Sequence, residues 1–241
     1  MPNKKIFIPG EPFKFSWSRF AVYLDCSRCF YLDNIKGIVR PPSLPLSLNN
    51  AVDQLVKTEF DIYRIQQQVH PEVYQQGLRL VPYQDVHLVN WRDPRVGIEA
   101  DYAGYSFFGA IDDIWTDQQG DLYIVDYKTT VKPNPLEPYQ IWDRGYYQKY
   151  RQQLDFYQWL FLKNGYQVSD TGYFVFANGD PTFPQFNNQL NFQMKIMIHE
   201  GNTKWIEPKI DEMILCLSGN QIPPVNHHCK YCTFAEKRKE W

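Results

Sequence analysis

Two aspartates and a lysine near the middle of the sequence have the types and spacing of a cation-dependent hydrolytic site. Asp126 and Lys128 lie two residues apart in a segment that alternates like a β-strand, so their side chains project from the same face. Across the preceding turn, the partner strand brings either Asp112 or Asp113 close to Asp126. Burying two acids beside one amine is costly unless a cation neutralises the acids. The pattern therefore predicts a cation site at the end of a hairpin.

Magnesium or manganese is the cation that fits such a site. Mg²⁺ binds through one or two carboxylates together with water and phosphate oxygens, and a bound ion can activate water for phosphodiester hydrolysis. Lys128 would orient or deprotonate that water, or stabilise the charge on phosphorus. The alternative is an ordinary surface ion pair between Asp126 and Lys128, which contributes little to stability. We expect Asp112 to be the second acid and Asp113 to be its outward-facing neighbour.

The order of motifs along the chain resembles a known family. Gly109-Ala-Ile-Asp112, then Val125-Asp126-Tyr-Lys128-Thr129, then Gln153-x-x-x-Tyr157 resemble the nuclease domain of the RecB-type PD-(D/E)XK family. The resemblance extends over about residues 25–234. It implies a DNA nuclease in which the two aspartates hold the metal, and in which Gln153 and Tyr157, one helical turn apart, contact the substrate and support the site. On this basis the predicted catalytic residues are Asp112, Asp126, Lys128, Gln153 and Tyr157.

The chain departs from many members of that family at one predicted metal ligand. The family often carries a histidine on the helix before the sheet, whereas this sequence has Asp53 in Asn50-Ala-Val-Asp53-Gln-Leu55. A carboxylate is a suitable ligand for Mg²⁺ or Mn²⁺, so we expect Asp53 to complete the Mg/Mn site with Asp112 and Asp126. The alternative is a solvated residue at the edge of the helix.

Four of the five cysteines form two C-x-x-C pairs at opposite ends of the chain. Cys26, Cys29, Cys229 and Cys232 provide a full set of thiolates for one tetrahedral Zn²⁺ ion or for a [4Fe–4S] cluster. Related helicase-associated and CRISPR-adaptation nucleases carry an iron–sulfur cluster, and this resemblance favours iron–sulfur. Their usual arrangement is one early and three late cysteines, so the two-and-two arrangement here keeps zinc as the alternative. We expect Cys216 to be a core residue and His227 and His228 to be exposed.

Hydrophobic periodicity predicts an α+β (mixed α/β) fold. Helices are predicted near residues 50–67, 146–163 and 204–217, and strands near 105–115, 122–128, 172–177 and 192–199. The resemblance implies a restriction-endonuclease-like core, with a central mixed sheet flanked by helices and with the chain ends joined by the four-cysteine metal site. We expect a single nuclease domain over residues 1–241, with a core at about 48–200 and a cap formed by 16–35 and 203–235.

Composition narrows the possible classes of protein. Of the 241 residues, 44% are hydrophobic, and the formal net charge is −2. This charge argues against a strongly cationic nucleic-acid binder but not against a local basic groove. Neither a signal peptide nor a stretch able to span a bilayer is found, so we expect a cytoplasmic protein without a membrane partner. Phosphate-loop, metalloprotease and esterase motifs are also missing from the sequence.

These observations favour a divalent-metal-dependent deoxyribonuclease that processes DNA ends as an exonuclease. One alternative is a catalytically silent nuclease fold that binds DNA through basic and aromatic residues, among them Lys132, Arg144, Tyr146, Tyr147, Lys149 and Arg151. Another is a scaffold subunit that works with a helicase or an integrase. The intact set of Asp112, Asp126 and Lys128 favours the enzyme, because a binding module has no need of a metal-competent acid pair.

Overall fold

The contacts of the polypeptide divide it into two compact units. A computed structural model describes residues 6–42, 46–133, 135–142, 147–182 and 184–238. The first unit contains residues 6–42, 99–108 and 204–238, and the second contains the described residues of 46–98 and 109–203. The segment 99–108, which lies inside the core range predicted from the sequence, therefore has its contacts within the first unit.

The second unit is built on a five-stranded mixed sheet with the strand order β2-β5-β6-β7-β8. Strands β6 and β7 are parallel, and the other neighbouring pairs are antiparallel. The strands of this sheet are β2 (Val81–Pro82), β5 (Asp113–Thr116), β6 (Leu122–Thr130), β7 (Thr171–Gly179) and β8 (Phe192–Glu200). Its helices are α3 (Ser47–Gln66), α4 (Pro71–Gln75), α5 (Leu88–Arg92), α6 (Pro138–Trp142) and α7 (Gln148–Lys163). The predicted α+β class with a mixed sheet flanked by helices is confirmed.

Both long helices of this unit contact β6. Val125 and Tyr127 belong to a buried cluster that also contains Val52, Val56 and Phe60 of α3. Asp126 and Lys128 alternate with these residues, so they project from the opposite face, where α7 contacts β6. The strand alternation predicted from the sequence therefore separates a core face from a polar face.

The predicted strand at 105–115 is in fact two strands. It divides into β4 (Tyr105–Gly109) and β5, which belong to different sheets. Between them the Ile111 N–H donates to the carbonyl of Trp91 at 3.0 Å rather than to a neighbouring strand. At Gly109 an added Cβ would lie 2.4 Å from Cε1 of Tyr157, so the close approach of this ring requires glycine.

The buried face of α3 combines apolar residues with one charged residue. Val52, Val56 and Phe60 are buried, but Leu55 is 69% exposed. The buried face continues instead to Arg64, which is 6% exposed. A charged residue extends this face because the guanidinium has a buried acidic partner, described below.

The first unit contains a small sheet and four helices among the described residues. Its elements are β1 (Lys14–Ser16), α1 (Trp17–Asp25), α2 (Ser27–Lys36), β3 (Ile98–Tyr102, of which Ile98 belongs to the second unit), β4, α8 (Ile206–Ser218) and α9 (Lys230–Lys237). The strand order is β1-β4-β3, with β1 and β4 parallel. Ser16 caps α1 by accepting the N–H of Arg19 at 3.3 Å. None of the described helices has the length and hydropathy needed to cross a bilayer.

Candidate active site

Asp112 lies at the bend just before β5 and faces β6. Its Oδ2 accepts the backbone N–H of Tyr127 at 2.9 Å, and its Oδ1 accepts from Nζ of Lys57 at 2.8 Å. Burial favours the neutral acid, but the charges of Lys57 and Lys128 outweigh it and lower the pKa of Asp112. This carboxylate is therefore ionised and fixed between β6 and α3.

Asp126 and Lys128 form a close pair on β6. Asp126 is 1% exposed, and its Oδ2 contacts the ammonium of Lys128, yet this buried oxygen has no well-directed hydrogen bond. Burial raises the pKa of Asp126 to about 7, and the nearby charge of Asp112 contributes to the rise. The predicted convergence of Asp112, Asp126 and Lys128 is thus present.

The predicted Gln-x-x-x-Tyr motif lies on α7 and faces the same lysine. Nζ of Lys128 donates to Oε1 of Gln153 at 3.5 Å, and Nε2 of Gln153 donates to the hydroxyl of Tyr157 at 2.7 Å. Burial raises the pKa of Tyr157 far above its usual value, so the hydroxyl stays protonated. The ring of Tyr150, which the sequence analysis did not single out, lies 4.6 Å from Nζ of Lys128.

Asp53 lies beside Asp112, and Lys57 stands between the two carboxylates. Nζ of Lys57 is 2.8 Å from Oδ2 of Asp53 and 2.8 Å from Oδ1 of Asp112. Burial and the charge of Asp112 raise the pKa of Asp53. The structure therefore brings Asp53 to the acids of the sheet. Sequence reasoning missed Lys57, although its position one helical turn after Asp53 was a readable signal.

Asp113 is not an outward-facing residue, and that prediction is wrong. Its side chain is fully buried, contacts the guanidinium of Arg64, and lies 3.0 Å from Nη2 of Arg92. Its Oδ2 also accepts from the hydroxyl of Tyr127 at 2.5 Å. Asp113 and Asp112 are adjacent in sequence, but Asp113 belongs to a structural ion network and not to the acid group beside Lys128.

The residues around Asp112 and Asp126 fit a divalent cation. Three carboxylates (Asp53, Asp112 and Asp126) face two ammonium groups (Lys57 and Lys128), so one negative charge would stay uncompensated with all three acids ionised. The buried oxygen of Asp126 without a directed hydrogen bond needs a cation to ionise at neutral pH. Oxygen-only donors of this kind suit Mg²⁺ or Mn²⁺.

The four paired cysteines meet at one point in the first unit. Sγ of Cys26 lies 3.6 Å from Sγ of Cys232, and Sγ of Cys29 lies 3.6 Å from that of Cys229 and 3.8 Å from that of Cys232. All four sulfurs lie within 4.8 Å of one another and all four residues are buried. The sulfurs therefore form one compact donor set that could hold a metal.

A guanidinium and backbone amides surround these thiols. Nη2 of Arg40 donates to Sγ of Cys229 at 3.6 Å. Burial opposes ionisation of Cys229, but the N–H groups of Cys232 and Tyr231 outweigh it and lower the pKa of this thiol to about 7. Burial raises the pKa of Cys29 to about 12, so the full thiolate set needs a bound cation.

The other cysteine and the two histidines lie outside this donor set. Cys216 is half-buried rather than a core residue, because it faces the side of α8 that is only partly covered. His227 and His228 are exposed, as predicted.

The residues considered for DNA contact differ in accessibility. Lys149 is exposed, and Lys132 and Arg151 are half-buried. Tyr147 is 7% exposed and packs edge-on against Tyr150, so its ring face is not open to a base. Arg144 and Tyr146 lie outside the described residues.

Comparison with known proteins places this chain in a family. No curated protein matches the sequence. Two solved structures that are similar at low identity illustrate the comparison. The structure of SSO0001 is 15% identical, with 95% of this chain and 87% of that chain covered and a TM-score of 0.42. A structure from Eubacterium rectale described as "Putative exonuclease" is 13% identical, with 92% of this chain and 87% of that chain covered and a TM-score of 0.46. The model of the PD-(D/E)XK nuclease superfamily matches residues 48–236. This chain therefore belongs to the PD-(D/E)XK nuclease superfamily.

Proposed function

We propose that this protein is a divalent-metal-dependent DNA nuclease that hydrolyses phosphodiester bonds at DNA ends. The observation that carries the proposal is the convergence of Asp112, Asp126 and Lys128, in which a buried, incompletely bonded carboxylate oxygen lies against an ammonium. A catalytically silent binding fold would gain nothing from a buried acid with a pKa raised to about 7.

Each residue of the site has a distinct part in the proposed reaction. Asp53, Asp112 and Asp126 would hold Mg²⁺ or Mn²⁺, which supplies Lewis-acid activation of water and of the scissile phosphate when bound. Lys128 presents its ammonium at the acids, where it can orient the attacking water or stabilise negative charge on the phosphate oxygens.

The helix α7 supports this arrangement in the proposed mechanism. The hydroxyl of Tyr157 accepts from Gln153, and the amide oxygen of Gln153 accepts from Lys128. This chain of hydrogen bonds fixes the direction of the ammonium. Gln153 is also accessible enough to contact a DNA strand, since it is half-buried.

A cleavage assay on labelled DNA tests the proposal. Purified protein is incubated with linear single-stranded, linear double-stranded and covalently closed circular DNA, with Mn²⁺, with Mg²⁺ and with a chelator. We expect metal-dependent release of short products from linear DNA only, and no release by Asp126→Asn. Metal-independent cleavage, or full activity of that variant, would overturn the assignment. DNA binding without cleavage by the wild type would favour the silent binding or scaffold role, alone or with a helicase or integrase.

The spacing of the four sulfurs supports zinc as the ion of the cysteine site. Four thiolates about 2.3 Å from one zinc ion lie about 3.8 Å from each other in a tetrahedron. Three of the six sulfur pairs here are 3.6, 3.6 and 3.8 Å apart, and all six lie within 4.8 Å. A [4Fe–4S] cluster binds each thiolate through a different iron, which spreads the sulfurs farther apart. We therefore propose a structural zinc site, in place of the iron–sulfur cluster that the family resemblance favours.

Metal analysis after anaerobic purification distinguishes the two centres. Zinc is expected at one equivalent in colourless protein, whereas a brown protein with iron and labile sulfide would reject zinc and restore the iron–sulfur prediction. Cys29→Ser should reduce the metal content and lower the melting temperature, while Cys216→Ser, outside the donor set, should change neither. Full metal retention by Cys29→Ser would refute the four-cysteine site.

A further inference from the structure

Lys57 holds a position that no motif in the sequence assigns. It projects from α3 one turn after Asp53, and its side chain is 17% exposed. Its Nζ makes two contacts of 2.8 Å, one with Oδ2 of Asp53 and one with Oδ1 of Asp112. An ammonium is thus held between two of the three carboxylates proposed to bind the metal.

The position of Lys57 matters for metal binding because both carboxylate oxygens of Asp112 already accept hydrogen bonds. Its Oδ2 already accepts the N–H of Tyr127 at 2.9 Å, and its Oδ1 accepts from Lys57. A divalent ion bound by Asp112 would use Oδ1, the oxygen that Lys57 now contacts, since Mg²⁺ and Mn²⁺ bind carboxylate oxygens directly. The ammonium and the ion therefore compete for the same donors.

We propose that Lys57 is a displaceable internal cation, which holds Asp53 and Asp112 together without metal and leaves them when the ion binds. This inference rests on the proposed metal-dependent function. Without Lys57 the three acids would face only Lys128, so two negative charges rather than one would remain uncompensated. Lys57 thus lowers the affinity for metal and prevents repulsion between the acids in the metal-free protein. It is a positioning residue, and after displacement its ammonium is released beside the site.

Replacement of the ammonium by an uncharged chain of similar length tests the competition. Lys57→Met should lower the Kd for Mn²⁺ by about tenfold in calorimetry, which corresponds to about 1.4 kcal/mol. The same variant should lower the metal-free melting temperature by about 4 °C. The matched control is Lys209→Met, which removes an exposed ion pair with Glu212 three residues later on α8 and should leave both quantities unchanged. Unchanged or weaker Mn²⁺ binding by Lys57→Met overturns the proposal.

Amine labelling of the wild type gives a second measurement that needs no variant. Acetylation of Lys57, followed by peptide mass spectrometry, should increase with Mn²⁺ along the same titration curve as binding, while labelling of Lys209 stays constant. Labelling of Lys57 that is constant or reduced at saturating Mn²⁺ contradicts displacement. A wild type that binds no Mn²⁺ overturns the proposed function together with this inference. A wild type that binds Mn²⁺ and cleaves DNA, with Lys57 unresponsive, overturns this inference alone.

Discussion

Replacing Asp126 by asparagine should stabilise the metal-free protein, because ionised Asp126 destabilises it. Burial raises the pKa of this acid from 3.8 to about 7. The gap of about three pH units, at 1.36 kcal/mol per unit, corresponds to about 4 kcal/mol of unfolding free energy at pH 8. Asparagine has the shape of the neutral acid and keeps an oxygen for Lys128. We therefore expect Asp126→Asn to melt about 10 °C above the wild type without metal.

The pH dependence of this difference follows from the direction of the pKa shift. A carboxyl group with a raised pKa in the folded protein contributes its stability below the unfolded pKa and loses it as the pH rises towards the folded pKa. The wild type should therefore lose stability relative to the variant between about pH 4 and pH 7. The two proteins should melt close together near pH 4, since Asp126 is then neutral in the folded state and only partly ionised in the unfolded state.

Added metal should narrow the difference in stability between the two proteins at pH 8. Ligand binding stabilises the folded state by about 2.7 kcal/mol when the free ligand is at 100 times its Kd. The wild type should gain this stabilisation with Mn²⁺, whereas Asp126→Asn, which lacks the central carboxylate, should gain little. Differential scanning fluorimetry at pH 4, 6 and 8, with and without Mn²⁺, measures each of these quantities. A variant that is less stable than the wild type at pH 8 without metal, or a gap that does not narrow at low pH, would refute the reasoning.

Three further substitutions test the elements around the acids. Asp53→Ala should weaken Mn²⁺ binding in calorimetry and Asp53→His should restore part of it, and normal binding by the alanine variant would assign the residue to the helix surface. Asp113→Asn should lower the unfolding free energy by at most about 3–5 kcal/mol in urea titrations, because it removes the buried acid from Arg64 and Arg92 and leaves both guanidinium groups with Asp61 alone. Gly109→Ala should cost about 1–3 kcal/mol and slow cleavage by displacing the ring of Tyr157, whereas Gly219→Ala, whose nearest neighbour would lie at 3.5 Å, should be tolerated.

Local periodicity was sufficient to predict most of the second unit. The strand at β6, the long helices α3 and α7, and the strands β7 and β8 agree with their predicted ranges to within a few residues. The pairing of Asp126 with Lys128 followed from the two-residue repeat of a strand, which is a property of the backbone alone. The residues of a site that lie on one strand can therefore be predicted from the sequence of that strand alone.

The parts that were missed depend on contacts between distant residues. Arg64 lies 49 positions before Asp113, and no pattern near either residue indicates that the two charges are buried together. The predicted strand at 105–115 divides after Gly109, where the ring of Tyr157 packs from α7, and the local sequence does not indicate this distant contact. Helix α2 was missed because Cys26 both ends α1 and begins the next helix, so no separate loop marks the change.

The adjacent acids before and at the start of β5 have opposite electrostatic surroundings, so one can anchor the strand while the other stays available for the proposed metal. Asp113 is surrounded by two guanidinium groups and a tyrosine hydroxyl, so its charge is compensated within the protein and anchors the beginning of β5. Asp112, one residue earlier, is thereby fixed at the N–H of Tyr127 with its other oxygen on Lys57. The buried network thus positions a carboxylate whose only cationic hydrogen-bond donor among the described residues is one half-accessible lysine. Because an ammonium can be displaced while a buried arginine pair cannot be broken without a large cost, binding of the proposed metal should displace Lys57 and leave β5 intact.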